Sequence, residues 1–131
     1  MTALNTDYTF GIEIEFKGVS TTSVAEALTA DGIPANVRAY GNHDPVTYWK
    51  LTTDATVTER GYSLGTGRGI GGEVVSPILS GEAGLAELKH VCLVLNNLDG
   101  LFVNVTCGVH VHLGMPDGWT VAHVQSIYRR Y

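Results

Sequence analysis

Phe10-Gly11-Ile12-Glu13-Ile14-Glu15-Phe16-Lys17 is the stretch from which the rest of the chain can be read. Apolar and polar residues alternate through it, with Phe10, Ile12, Ile14 and Phe16 on one side and Gly11, Glu13, Glu15 and Lys17 on the other. A period of two sends successive side chains to opposite faces of an extended chain, so the stretch is a strand with one buried face. Glu13 and Glu15 then share the other face, about 6.6 Å apart at a rise of about 3.3 Å per residue. Carboxylates this close repel each other unless a cation lies between them, and hard cations such as Mg²⁺ take carboxylate oxygens. The competing reading is a solvated outer face, because surface glutamates are common.

Downstream, Thr21, Thr22 and Ser23 offer N-cap oxygens ahead of Val24, Ala27 and Leu28 at helical spacing, and Gly32-Ile33-Pro34 closes a short helix. Residues 46 to 57 favour extended structure, as one or two strands broken near Asp54. Six glycines in residues 61 to 72 predict a loop. Gly67, Gly69 and Gly72 match the spacing of a dinucleotide fingerprint. That fingerprint must open a helix, however, and the strand-like Glu73-Val-Val-Ser-Pro77 follows instead. Two readings of the loop are left: a plain hairpin, or backbone amides and Arg68 contacting a phosphate or carboxylate. Leu85, Leu88, Cys92 and Leu95 form a helical stripe within residues 82 to 98. Leu101 to Val105 and Val109 to Leu113 read as strands, the second burying Val109, Val111 and Leu113 and presenting His110 and His112 together. A last helix, capped by Thr120, carries Val121, Val124, Ile127, Tyr128 and Tyr131 and is still running at the final residue. The expected fold class is α+β: one domain over residues 1–131, with an antiparallel or mixed sheet and helices on one face.

Composition removes several functions. At 131 residues the chain is of single-domain size. No apolar run approaches the roughly 20 residues of a membrane span. The first ten residues lack the basic and apolar regions of a secretory signal, which predicts a cytoplasmic protein. Eight Lys and Arg against 13 Asp and Glu, a formal charge of −5, leave no basic stripe for nucleic acid or an anionic membrane. Cys92 and Cys107 read as reduced thiols, and a regular pleat puts the Cys107 sulfur on the face opposite both imidazoles, against a Cys-His nucleophile. The imidazole pair can bind a metal or donate to phosphate, and Gly108 and Gly114 beside it suggest close approach to the backbone. Glu73 is a third candidate acid. Trp49 and Lys50 either line a cleft or, by default for the indole, pack in the core.

In order and in content, Phe10 to Phe16, Trp49 to Asp54, Glu73 to Pro77 and Cys107 to His112 resemble the amidoligase family, relatives of glutamate-cysteine ligase and glutamine synthetase among the carboxylate-amine ligases. The resemblance implies part of a glutamine synthetase-type catalytic domain. It implies an ATP-dependent ligase in which Mg²⁺ bridges a carboxylate cluster and the nucleotide phosphates. By that carry-over Glu13, Glu15, Glu73 and His110 hold metal, and His112 completes the metal or phosphate site. Trp49 and Asp54 line the substrate cleft by the same resemblance, and the residues themselves offer Arg68 and Lys50 as the cations to contact the nucleotide. The substrates are a carboxylate and an amine, on small molecules or peptides, joined through an acyl phosphate. Family members are longer, so the chain corresponds to an N-terminal portion. That implies an open sheet edge, an uncovered apolar face, and a homo-oligomer or second chain completing the site. Two alternatives stand beside this reading: a non-catalytic binding or assembly module, and a Zn²⁺-dependent hydrolase using His110, His112 and a glutamate.

Overall fold

A computed structural model describes residues 8–39, 41, 44–53 and 70–130. The alternating stretch is the strand β1 (Thr9–Lys17), and it lies inside the sheet rather than at its edge. Along one side, Glu13 to Lys17 pair antiparallel with β4 (Gly71–Val75), and Thr9 and Phe10 pair with β5 (Leu79–Ser80). Along the other, Thr9 to Ile14 pair antiparallel with β6 (Val109–Gly114). Beyond β4 comes β3 (Trp49–Thr52), antiparallel, and then β2 (Ala35–Val37), parallel to β3. The result is an α+β fold on a mixed six-stranded sheet, the expected class.

Ser76 carries β1 across the break between β4 and β5. Its amide donates to the Ile12 carbonyl and its Oγ accepts from the Ile12 amide, each at 2.9 Å, so Pro77, which has no N–H, does not interrupt the ladder.

One face of the sheet is the core. Phe16, Trp49, Leu51 and Val74 are fully buried there against Val24 and Leu28 of α1 (Thr21–Ala30) and Val91 and Leu95 of α2 (Gly81–Asn97). Helix α1 ends because Gly32, at φ +84°, turns the chain back. The Gly32 amide reaches the Thr29 carbonyl, the Ile33 amide reaches the Leu28 carbonyl, and Ile33 is buried beside them. The third described helix, α3 (Val121–Arg130), follows β6 and leaves Val121, Val124, Ile127 and Tyr128 exposed. None of these helices is long and apolar enough to cross a membrane.

Several expectations are corrected. The α1 cap is Ser20, whose Oγ accepts from the Ser23 amide at 3.0 Å, one residue before the predicted cluster. In α2 the buried line runs through Gly81, Gly84, Val91 and Leu95, so Leu85 and Cys92 face outward: Gly84 is small enough to press against Leu79 and Phe10. Gly71 and Gly72 belong to β4 rather than to the glycine loop, the remainder of which (61–69) lies outside the described residues. Leu101 to Val105 form no strand, only a bridge between Phe102 and Lys17. Val109, Val111 and Leu113 are 57 to 64% exposed instead of buried, because β6 lies at the edge of the sheet while the packed core gathers under β3, β4 and β1.

Candidate metal centre

The opposite face of the sheet carries the chemistry, and strand register assembles it. Each antiparallel partner pair puts its side chains on the same face. One row across the sheet therefore reads Lys50, Val75, Glu13, His110 from β3 to β6. The next row reads Thr52, Glu73, Glu15, and His112 lies opposite Gly11 in the row on the other side. Three acids and two imidazoles from three strands thus meet on three adjacent rows, which alternation within each strand prepares and register completes.

Glu13 is the hub. His110 Nδ1 lies 3.0 Å from its Oε2, and His112 Nε2 lies 3.0 Å from its Oε1. The hydrogen bond to Glu13 is the main cause that raises the His110 pKa above its ordinary value. Burial works against it, and the negative charges of Glu13, Glu15 and Glu73 add to the rise. Glu73 lies directly across the β1–β4 pair from Glu15 and is 3.5 Å from Thr52 Oγ1. One donor atom each from Glu13, Glu73 and His110 lies within 4.8 Å of the others, a group able to hold a metal ion.

Glu15 is not in that group. Its carboxylate is buried and accepts the Gly108 amide at 2.7 Å, while its own amide donates to the Gly108 carbonyl at 3.1 Å. The glycine next to the histidines, flagged in the sequence as a point of close approach, is approached by this carboxylate.

A cleft of about 630 Å³ opens over the centre. Glu13, Glu73, His110 and His112 line it together with Lys50 and Thr52, and Phe10, Pro77, Ile78 and Leu113 make an apolar end. The stem of Lys50 is buried and its ammonium donates to the Asp44 carbonyl at 3.2 Å. Trp49, expected in the cleft, is in the core instead. Neighbours on a strand face opposite ways, so Lys50 takes the cleft side and Trp49 the other, where its indole donates to Glu87 Oε1 at 2.7 Å. Asp54 and Arg68 lie outside the described residues. Thr52, Ser76 and the Gly108 amide were not singled out as site residues in the sequence; for Thr52 the available signal was its place two residues from Lys50 on one strand face. Cys107 Sγ turns to Asn104 Oδ1 at 3.9 Å, away from any thiol-imidazole pairing among the described residues.

The donor set suits a divalent cation. Two carboxylates and one imidazole leave room for the water and phosphate oxygens that Mg²⁺ or Mn²⁺ keeps in its shell. A family model described as "Putative amidoligase enzyme" matches residues 6–131. No curated protein and no solved structure matches the chain.

Proposed function

Since the chain belongs to the family of putative amidoligase enzymes, a ligase-type class, we propose that its cleft binds ATP with a divalent cation and joins a carboxylate to an amine. The observation that carries this reading is the convergence of Glu13, Glu73 and His110 from three different strands at one end of the cleft. These three residues would hold the cation, which when bound neutralises charge that develops on the phosphates during transfer.

The chain's own groups do the positioning. Lys50, a compact charge on the same wall, meets the phosphates from the β3 side. His112 holds the second oxygen of Glu13 and so fixes the plane of that carboxylate. A carboxylate oxygen of the acyl donor attacks the γ-phosphorus and ADP leaves. The amine nitrogen then attacks the acyl carbon, phosphate leaves, and the amine proton passes to solvent. No side-chain nucleophile is needed, which agrees with the absence of a Ser-His-Asp or Cys-His constellation among the described residues.

A Zn²⁺ hydrolase is the weaker reading. Catalytic zinc favours two or three imidazoles, whereas the converging donors are two carboxylates and one imidazole, with His112 outside the group. Calorimetric titration of ATP in Mg²⁺, in Zn²⁺ and in EDTA separates the cases. ATP binding with Mg²⁺ that EDTA removes is expected. Tight Zn²⁺ binding without nucleotide binding would overturn the ligase for a hydrolase, and a folded chain that binds neither would overturn it for a non-catalytic module.

A further inference from the structure

The cleft is divided along its length. Its charged and imidazole groups, Lys50, Glu13, Glu73, His110 and His112, gather around the centre, whereas the wall that leads away from it along β4 and β5 is built from Val75, Pro77 and Ile78. Ile78 lines this wall with 70% of its surface exposed. Ser76, the polar residue in the same wall, has no proton to offer a ligand. Its Oγ accepts from the Ile12 amide at 2.9 Å and donates to the Pro77 carbonyl at 2.7 Å. Leu79 pairs with Phe10, three residues along β1 from Glu13, so Ile78 lies about 7–10 Å from the centre at a rise of about 3.3 Å per residue. Gly11, on the Glu13 face of β1 and opposite His112, lines the interval without a side chain.

A zwitterion or a second carboxylate meets no charged partner at this end among the described residues, whereas an aliphatic or aromatic group leaves water there at a gain. Phosphoryl transfer sets the attacking and leaving oxygens on opposite sides of the phosphorus. With the nucleotide phosphates on the Lys50 side of the centre, the acyl donor is left the uncharged end.

We propose that Val75, Pro77 and Ile78 form the acyl-donor subsite, and that the donor is a carboxylate bearing an apolar group about 7–10 Å from its carboxyl group, rather than a small polar acid such as a free amino acid. The assignment rests on the ligase reading above.

The test compares acetate with octanoate by calorimetry on the chain loaded with Mn²⁺ and a non-hydrolysable ATP analogue. Octanoate is expected to bind more tightly, by roughly three- to fourfold for each methylene that reaches the subsite. Bound Mn²⁺ should broaden the NMR signals of the protons beside its carboxylate far more than those of its terminal methyl. Ile78→Asp, a change at an exposed position outside the core, should erase the octanoate gain while acetate, Mn²⁺ and the analogue bind as in the parent. Gly11→Ala should also weaken octanoate, because its Cβ fills the interval yet meets His112 Cβ and Ser76 Oγ at an ordinary 3.7 Å. Equal binding of the two acids, or an octanoate gain that survives Ile78→Asp, would overturn the subsite. Analogue affinity lost in Ile78→Asp would give the apolar end to the nucleotide base and overturn the assignment too. A parent that binds neither Mn²⁺ nor the analogue sinks the ligase reading and the subsite with it; a parent that binds both but prefers neither acid sinks the subsite alone.

Discussion

Glu13 carries two imidazoles, and this governs how the site answers to protons. The raised His110 pKa means that folding favours the protonated ring. The stabilisation from the pair is therefore full below the ordinary histidine range and is lost as pH rises through the raised value. Its size is small, since more than half of the His110 side chain is exposed. A cation needs the neutral ring, so its affinity should climb over that same window. In an NMR titration His110 should turn over above a free histidine, and in Glu13→Gln it should fall back toward the ordinary value; an unmoved midpoint would contradict the pairing. Lys17 makes a second point. It is 4% exposed, on the face that alternation gives to the polar residues, and its ammonium has no hydrogen-bond partner among the described residues. A buried charge without a partner costs stability, so Lys17→Met, which keeps length and loses the charge, should stabilise the fold by about 1–3 kcal/mol in denaturant unfolding. A lower midpoint would instead mean that the ammonium is held by the field of the site.

The strands and helices were legible where a single element carried its own signal. Alternation in β1 and β6 and the Gly32 stop of α1 can be seen in a few consecutive residues. What could not be seen depends on neighbours. Gly72 looked like part of a loop, yet it is a strand residue whose Cβ, if present, would lie 2.5 Å from Thr21 Cγ2 and 2.6 Å from the Thr52 carbonyl. Gly72→Ala should therefore cost about 1–3 kcal/mol by overpacking, where a flexible loop glycine would tolerate alanine. Similarly, Val111 and Leu51 are both apolar strand residues, and only their places in the sheet tell them apart. Leu51→Ala, in the core, should cost roughly 2–5 kcal/mol, while Val111→Ala, 60% exposed, should stay within about 0.5 kcal/mol. Equal losses at the two positions would contradict the assignment of the packed face.

Across the whole molecule, the candidate site joins residues that lie 97 apart in sequence, as Glu13 and His110 do. The sequence separately marked Glu13, Glu73, His110 and His112 by residue type and strand face, and the family resemblance put them in one site. Register alone decides that Glu13 faces His110 and that Glu15 faces Glu73, and no pattern within one strand encodes it. That is also why Trp49 looked available to the cleft until the core was filled. The central claim is that Glu13, Glu73 and His110 form one cation centre on this sheet. Pulsed electron paramagnetic resonance of Mn²⁺ bound to the chain tests it most directly. The account predicts an imidazole nitrogen coupling that disappears in His110→Gln and a Mn²⁺ affinity that falls sharply in Glu13→Gln and Glu73→Gln; bound Mn²⁺ with no nitrogen coupling, or affinity unchanged by either glutamate replacement, would contradict it.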